Sequence, residues 1–250
     1  KKGKSRLTPL LFGVDYHTHT RYSHGTGSVE DNVRAAIDCG LSAVGISDHG
    51  IKQIAHGVEP DALLRQIDEI AELNEKYAGK IRILSSIESD ITGLDGSIDL
   101  PEDWQDKFDY VLGGYHRTAV PNRIWDIFSL QIPALFRIRS KKLSERMTRA
   151  DELAIRSGRL FAVTHPGEYI PVDLLRVARA AEECGVYVEI NNKHPMKKED
   201  LCAALQTNAK FILSSDAHAP ERVGRVERAY EAAMEAGVPR ERIVNLLQEG

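Results

Sequence analysis

Cysteine is scarce in this 250-residue chain: Cys39, Cys184 and Cys202 are too few and too scattered to form a disulfide framework. A chain of this length buries a core that needs no such staples, and a reducing cytoplasm is the expected compartment. Long apolar runs are absent too. No stretch approaches the roughly 20 residues that a spanning helix requires, and no signal peptide is visible, so no membrane partner is expected. Charge of one sign is not in excess: 33 Lys and Arg stand against 37 Asp and Glu, a net charge of −4, with a pI near 6.2. That balance argues against a protein that holds duplex DNA by bulk charge. No Gly-rich linker divides the chain, no repeat is visible, and no Ser or Cys sits in a convincing nucleophile triad. With 42% hydrophobic and 28% charged residues, the composition is that of a globular protein. One domain over residues 10–250 is expected, behind a basic tail (residues 1–9) to which no function is assigned.

What is present is a repeating order of elements. Residues 10–15 form a short apolar run, followed by a polar loop and a helix over residues 29–39. Ser28 is a suitable N-cap for that helix and Gly40 a suitable residue just past its end. Ala43–Ile46 reads as a second strand, and Pro60 opens a helix with Leu63, Leu64, Ile67, Ile70 and Ala71 on one face. Residues 81–87, Tyr110–Gly114, residues 160–164, residues 186–190 and Phe211–Ser214 supply five more strands. Helices are expected over residues 171–185 and 220–236. Continuous apolar strands alternating with helices indicate a parallel sheet covered by helices. Seven such units in one chain predict an α/β fold, a distorted TIM-like (β/α)7 barrel. Residues 117–140, with Pro121, Trp125, Pro133 and Phe136, break the rhythm and read as an inserted lid or irregular connection before a basic helix over residues 137–149.

The histidines fall at the ends of these strands. His17 and His19 follow the first, with His24 in the same loop, and His49 follows the second. Glu88 ends the third strand, His116 the fourth and His165 the fifth, while Asp216 and His218 follow the seventh. In a parallel barrel these ends converge on the rim that carries active sites. A lone His after a strand is more often a hydrogen-bonded loop residue. Seven of the nine histidines on one rim, with two carboxylates among them, would be costly to crowd together without cations. His-x-His at residues 17 and 19 strengthens the case, because alternate residues of an extended segment point the same way. Imidazole with carboxylate suits Zn, Mn, Fe or Co. Nine ligands exceed what one ion takes, so about three divalent ions per chain are expected, with a bridging carboxylate. Such a cluster polarises a phosphoryl oxygen and makes hydroxide from bound water near neutral pH.

Asp15-Tyr-His-Thr-His19, Asp48-His49, Glu88, His116, His165 and Asp216-Ala-His218 resemble, in order and over nearly the whole chain, the PHP (polymerase and histidinol phosphatase) superfamily. His24, where many relatives carry Asp, makes the chain most similar to small stand-alone PHP phosphatases with a trinuclear site. The resemblance implies that His17, His19, Glu88 and Asp216 hold one ion. It gives Glu88, His116 and His165 to a second, and His24, His49 and His218 to a third. The activity it implies is hydrolysis of a small phosphomonoester.

Neighbouring polar groups have two readings each. Arg117 either reads the phosphate, to which a guanidinium is well matched, or is a solvated surface residue. Lys193 and His194, after strand six, stand in the same position, and Arg21 is a weaker candidate. His56 reads as an ordinary loop residue. Asp48 is expected to orient His49 or another ligand, and Asp15 to do the same or simply to end strand one. Three rivals remain. A PHP-type nuclease would use the same metals on nucleic-acid ends, and the basic helix could touch a backbone, although such runs are more often solvated faces. An amidohydrolase would bring eight strands and a bridging Lys after the fourth, and a non-catalytic metal-binding module would be expected to have lost ligands.

Overall fold

The computed structural model describes residues 12–136 and 138–247. The expected tail (residues 1–9), the first residues assigned to strand one and Arg137 of the basic helix lie outside them. The seven strands are β1 (Val14–Thr18), β2 (Ala43–Ile46), β3 (Arg82–Asp90), β4 (Tyr110–Gly114), β5 (Ala162–Val163), β6 (Tyr187–Asn191) and β7 (Phe211–Ser214). All pair in parallel in the order β1-β2-β3-β4-β5-β6-β7. The sheet curls until its edges nearly meet. Thr18 bridges Ala217 in parallel fashion, and the His19 amide donates to the Ala217 carbonyl at 2.7 Å. At the other end, Asn245 stitches the seam. Its Oδ1 accepts from the Leu213 amide at 3.0 Å, and its Nδ2 donates to the carbonyls of Leu213 (2.7 Å) and Val14 (2.8 Å).

The interior is filled at the N-terminal end by aromatic rings. Tyr16 of β1 meets Phe161, just ahead of β5, at 5.0 Å between ring centroids. These segments are not ladder neighbours, so that contact crosses the barrel. The Tyr110 hydroxyl donates to the Tyr16 carbonyl at 2.6 Å, and a Cβ on Gly45 would lie 1.8 Å from that hydroxyl. The larger apolar core lies between strands and helices, with Val33, Ile46, Leu63, Ile83, Ile87, Val177 and Ile190 buried in it.

The helices are α1 (Val29–Asp38), α2 (Pro60–Lys76), α3 (Ile124–Asp126), α4 (Ile132–Leu135), α5 (Lys141–Arg156), α6 (Leu174–Cys184), α7 (Lys198–Ala204) and α8 (Glu227–Ala236). Ser28 caps α1 in a reciprocal capping box with Asp31, and Gly40 takes the left-handed conformation just beyond (φ 77°). Several boundaries differ from the sequence reading. β3 runs on to Asp90, because its ladder continues past the apolar run into a polar, buried rim. The helix before β6 starts at Leu174 rather than Pro171, since the Asp173 side chain caps it by accepting from Leu175 and Arg176. Pro220–Arg222 is a separate 3-10 turn, broken from α8 by Gly224 at φ 74°. The basic helix begins at Lys141, capped by Ser140, and extends to Arg156. The short α7 was not anticipated. Residues 117–136 and 138–140 are irregular, as expected, apart from α3, a π-helical turn (Ile127–Gln131) and α4. No helix among the described residues is long and apolar enough to cross a membrane.

Candidate metal centre

Two histidines reach the barrel interior through an irregularity in β1. Asp15 pairs with Val44 and Thr18 with Ile46, so β1 spends one more residue than β2 between these pairs. An inserted residue of this kind re-aims the side chains that follow it. Tyr16 points inward below the bulge, and His17 and His19 point inward above it. The sequence placed both after strand one. In fact His17 lies within β1 and His19 just beyond it.

Glu88, buried on the rim of β3, is the centre of the arrangement. Its Oε2 lies 3.3 Å from His17 Nε2, 3.5 Å from His19 Nε2 and 3.1 Å from His49 Nδ1. Its Oε1 lies 2.9 Å from His165 Nε2 and 3.5 Å from His116 Nε2. Asp216 Oδ1 is 3.3 Å from both His19 Nε2 and His218 Nδ1, and 3.9 Å from His17 Nε2. His24 packs against His49 and His218 at centroid separations of 4.8 and 4.1 Å. All nine expected ligands therefore converge. Three groups have donor atoms close enough to share an ion: His19, His24, His49 and His218; His17, His19 and Glu88; and His49, Glu88 and His116. This division places His19 beside the third expected set and His49 beside the second.

The donor chemistry fits divalent cations. His19 Nδ1 and His24 Nδ1 are buried without a hydrogen-bond partner, a costly state unless something binds there. On the outer side, Glu189 Oε1 lies 2.7 Å from His17 Nδ1, and Asp90 Oδ1 lies 2.7 Å from His116 Nδ1. Carboxylates at those nitrogens fix the protons there and turn each Nε2 lone pair inward, the arrangement that orients metal-binding imidazoles. Burial alone would raise the Glu88 carboxyl, but His17 and His116 outweigh it and hold it well below the usual range. Asp216 is depressed in the same way by His17 and His19. Burial, reinforced by neighbouring imidazoles, lowers His24 to about 3. His116 and His218 fall to about 4, burial outweighing the nearby carboxylates. His17 and His165 are raised despite burial, chiefly by Glu88 and Glu189. Ionised carboxylates facing mostly neutral imidazoles are a ligating set. Two members hold positive φ, His165 at 29° and Asp216 at 51°, conformations that L-residues rarely keep outside functional sites.

Above the cluster lies a cavity of about 220 Å³, lined by His24, His49, Glu88, His116, Asp216 and His218 and walled by Arg117, Lys193, His194, Tyr169 and His56. Arg117 stacks its guanidinium 5.1 Å from the Tyr169 ring centre, with its Nε buried and unpartnered. Lys193 Nζ stands 3.1 Å from His218 Nε2, and His194 Nδ1 is 3.4 Å from Glu168. Arg21 is exposed and outside this lining. Asp48, whose Oδ1 lies 3.9 Å from Nδ1 of the candidate ligand His19, makes no hydrogen bond to His49, where Gln53 Nε2 stands 3.1 Å from Nδ1. It accepts instead from Thr20, Ser23 and Gln66, fixing the loop that carries His24. Asp15 lies inside β1 and accepts from the amides of Ser215 and Gly224, tying β1 to the loop that bears Asp216 and His218.

The sequence does not single out Glu189 or Asp90, and it presents His56 as an ordinary loop residue. Glu189 sits within β6, fully buried between Val188 and Ile190. A lone acid inside an apolar strand was the available signal. Asp90 stands two residues after Glu88, the same alternation as His17 and His19. His56 stacks on His24 at 4.1 Å, and nothing in its loop sequence announced that.

A family profile described as the PHP domain matches residues 15–193. A probable phosphatase of Acetivibrio thermocellus is 27% identical over 246 residues, covering 94% of this chain and 92% of that protein. A probable phosphatase of a Thermoanaerobacter species is 30% identical over 243 residues, covering 93% and 89%. Histidinol phosphate phosphatase of Lactococcus lactis, solved with zinc, L-histidinol and phosphate, shares the fold. The two superpose with a TM-score of 0.60 at 16% identity over 90% of this chain and 94% of that one. Fold, motif order and these likenesses agree: the chain belongs to the PHP domain family.

Proposed function

We propose that the chain is a metal-dependent phosphatase that hydrolyses a small phosphomonoester in a trinuclear site. The observation that carries this reading is Glu88, whose two oxygens face five imidazoles from the ends of four different strands. In this reading His17, His19, Glu88 and Asp216 hold one ion, Glu88, His116 and His165 a second, and His24, His49 and His218 a third. Bound divalent ions of the zinc, manganese or iron type would supply Lewis acidity toward the phosphoryl group and toward an attacking water. The remaining steps fall to the chain's own side chains. Arg117, whose guanidinium lies over the Tyr169 ring, presents N–H donors to the phosphoryl oxygens. Lys193 Nζ adds a second cation to the lining, beside His218 and Asp216. His194, half-buried in the same lining, contributes a ring N–H to the phosphate or to the ester oxygen. The phosphatase names of the relatives support the reaction class.

The test is phosphate release from a panel of phosphomonoesters and oligonucleotides by metal-loaded protein. Release from a monoester that chelation abolishes and added metal restores is expected. Faster cleavage of phosphodiesters or DNA ends by kcat/KM would replace this reading with the nuclease one.

A further inference from the structure

The surface beside the cavity mouth has a composition that catalysis does not explain. Ten large hydrophobic side chains are exposed among the described residues, and eight of them are Ile54 or lie between residues 120 and 138. Trp125 is 75% exposed and Phe136 77%, with Ile124, Phe128 and Leu135 above half. Ile54 belongs to the same patch, because its amide donates to the Thr118 carbonyl at 3.0 Å and the Val120 amide donates to the Lys52 carbonyl at 2.8 Å. The opposite side of the same helical turns, Leu130 and Ala134, is buried in the core. A helical segment apolar on both sides needs an apolar neighbour on each, and here one side faces outward.

The flanking charge selects the neighbour. Between residues 117 and 149 the sequence holds eight Lys and Arg but only two Asp and Glu, within a chain of net charge −4. Of those two acids, Asp126 is buried and Glu145 pairs with Arg176 at 2.7 Å. Arg139, Lys141 and Lys142 are exposed and follow Phe136 and Ile138 within six residues of chain. A second copy docked about a two-fold axis would bring these cations against each other. A fluid anionic surface meets both demands, since it accepts protruding Trp and Phe side chains and attracts clustered cations.

We propose that this rim docks the chain on a bilayer surface containing anionic lipid, with Trp125, Phe128 and Phe136 in the head-group layer and Arg139, Lys141 and Lys142 over the lipid charges. The expectation of no membrane partner rested on the lack of a spanning run and did not concern surface attachment. The proposal does not depend on the phosphatase reading, although Arg117 and Thr118 connect the patch to the cavity lining.

The test is flotation of the full chain with vesicles of phosphatidylcholine alone and of phosphatidylcholine mixed equally with phosphatidylglycerol. The protein should float with the mixed vesicles, less so at high salt, with a blue shift in tryptophan emission. W125S/F128S should abolish flotation and the shift while leaving the circular dichroism spectrum and turnover of a soluble phosphomonoester unchanged. K141E/K142E should weaken binding about tenfold or more. Three results would overturn the proposal: no flotation of the wild type, equal flotation of wild type and W125S/F128S, or a vesicle-independent dimer that W125S/F128S dissolves.

Discussion

His24 is the residue that most sharpens the assignment, and its environment gives it a testable weight. Its Nδ1 is buried without a partner and its ring packs between His49, His56 and His218. His24→Ala should lower metal content by about one equivalent with the fold intact, and activity should fall with it. Wild-type metal content and turnover in that variant would return His24 to an ordinary loop role and leave a two-metal site. Arg117 should behave differently, because a guanidinium cannot ligate a cation. Arg117→Ala should keep full metal content and raise KM or lower kcat, whereas His17→Ala should lose both metal and activity. Equal metal loss in the two variants would contradict the role given to Arg117.

Asp151, which is not itself a candidate ligand, offers a further test. Burial, with a smaller push from Glu152 against a pull from His165, raises its carboxyl from 3.8 to about 8. A folded-state pKa above the unfolded one means that the unfolded chain releases the proton first. Stability from this group is therefore full below pH 3.8 and is lost as pH rises to about 8. In metal-free protein, Asp151→Asn should remove part of the decline in Tm across that window. Parallel Tm profiles for the two proteins would show that Asp151 is not held neutral.

The elements explain which parts of the architecture were legible in advance. β2, β4 and β7 carry unbroken apolar residues between turn signals, and their observed bounds match the sequence reading. β1 and β3 were misjudged at their C-terminal ends, where the ladder continues through polar residues that face the site rather than the core. The bulge in β1 has no sequence signature, since it depends on register with a neighbouring strand. The convergence of the candidate ligand histidines was legible because strand ends in a parallel barrel must converge. Glu189 and Asp90 were not, because their role lies in what the inward rings touch on their far side. The seam near Asn245 was also invisible, being an interaction over more than 200 residues of sequence. Asn245→Ala would strand the amide and carbonyl of Leu213 at the closure. A loss of about 3 kcal/mol in urea-induced unfolding is expected, and a change well under about 1 kcal/mol would mean that the barrel closes without it.

At the scale of the whole molecule, near-closure of the sheet gathers nine ligand-type side chains from six of the seven strands into one cluster, seven of them buried and His24 and His218 partly exposed. Seven strands, with Glu88 on the third and His116 after the fourth, depart from the eight strands and bridging Lys expected of an amidohydrolase. The central claim is that this cluster holds several ions and that hydrolysis depends on them. The most direct measurement is phosphomonoesterase activity followed against metal content as chelator-stripped protein is titrated with Zn²⁺ or Mn²⁺. Activity should be absent in the stripped protein and should saturate at about three equivalents per chain. Full activity without metal, or saturation at about one equivalent, would contradict it.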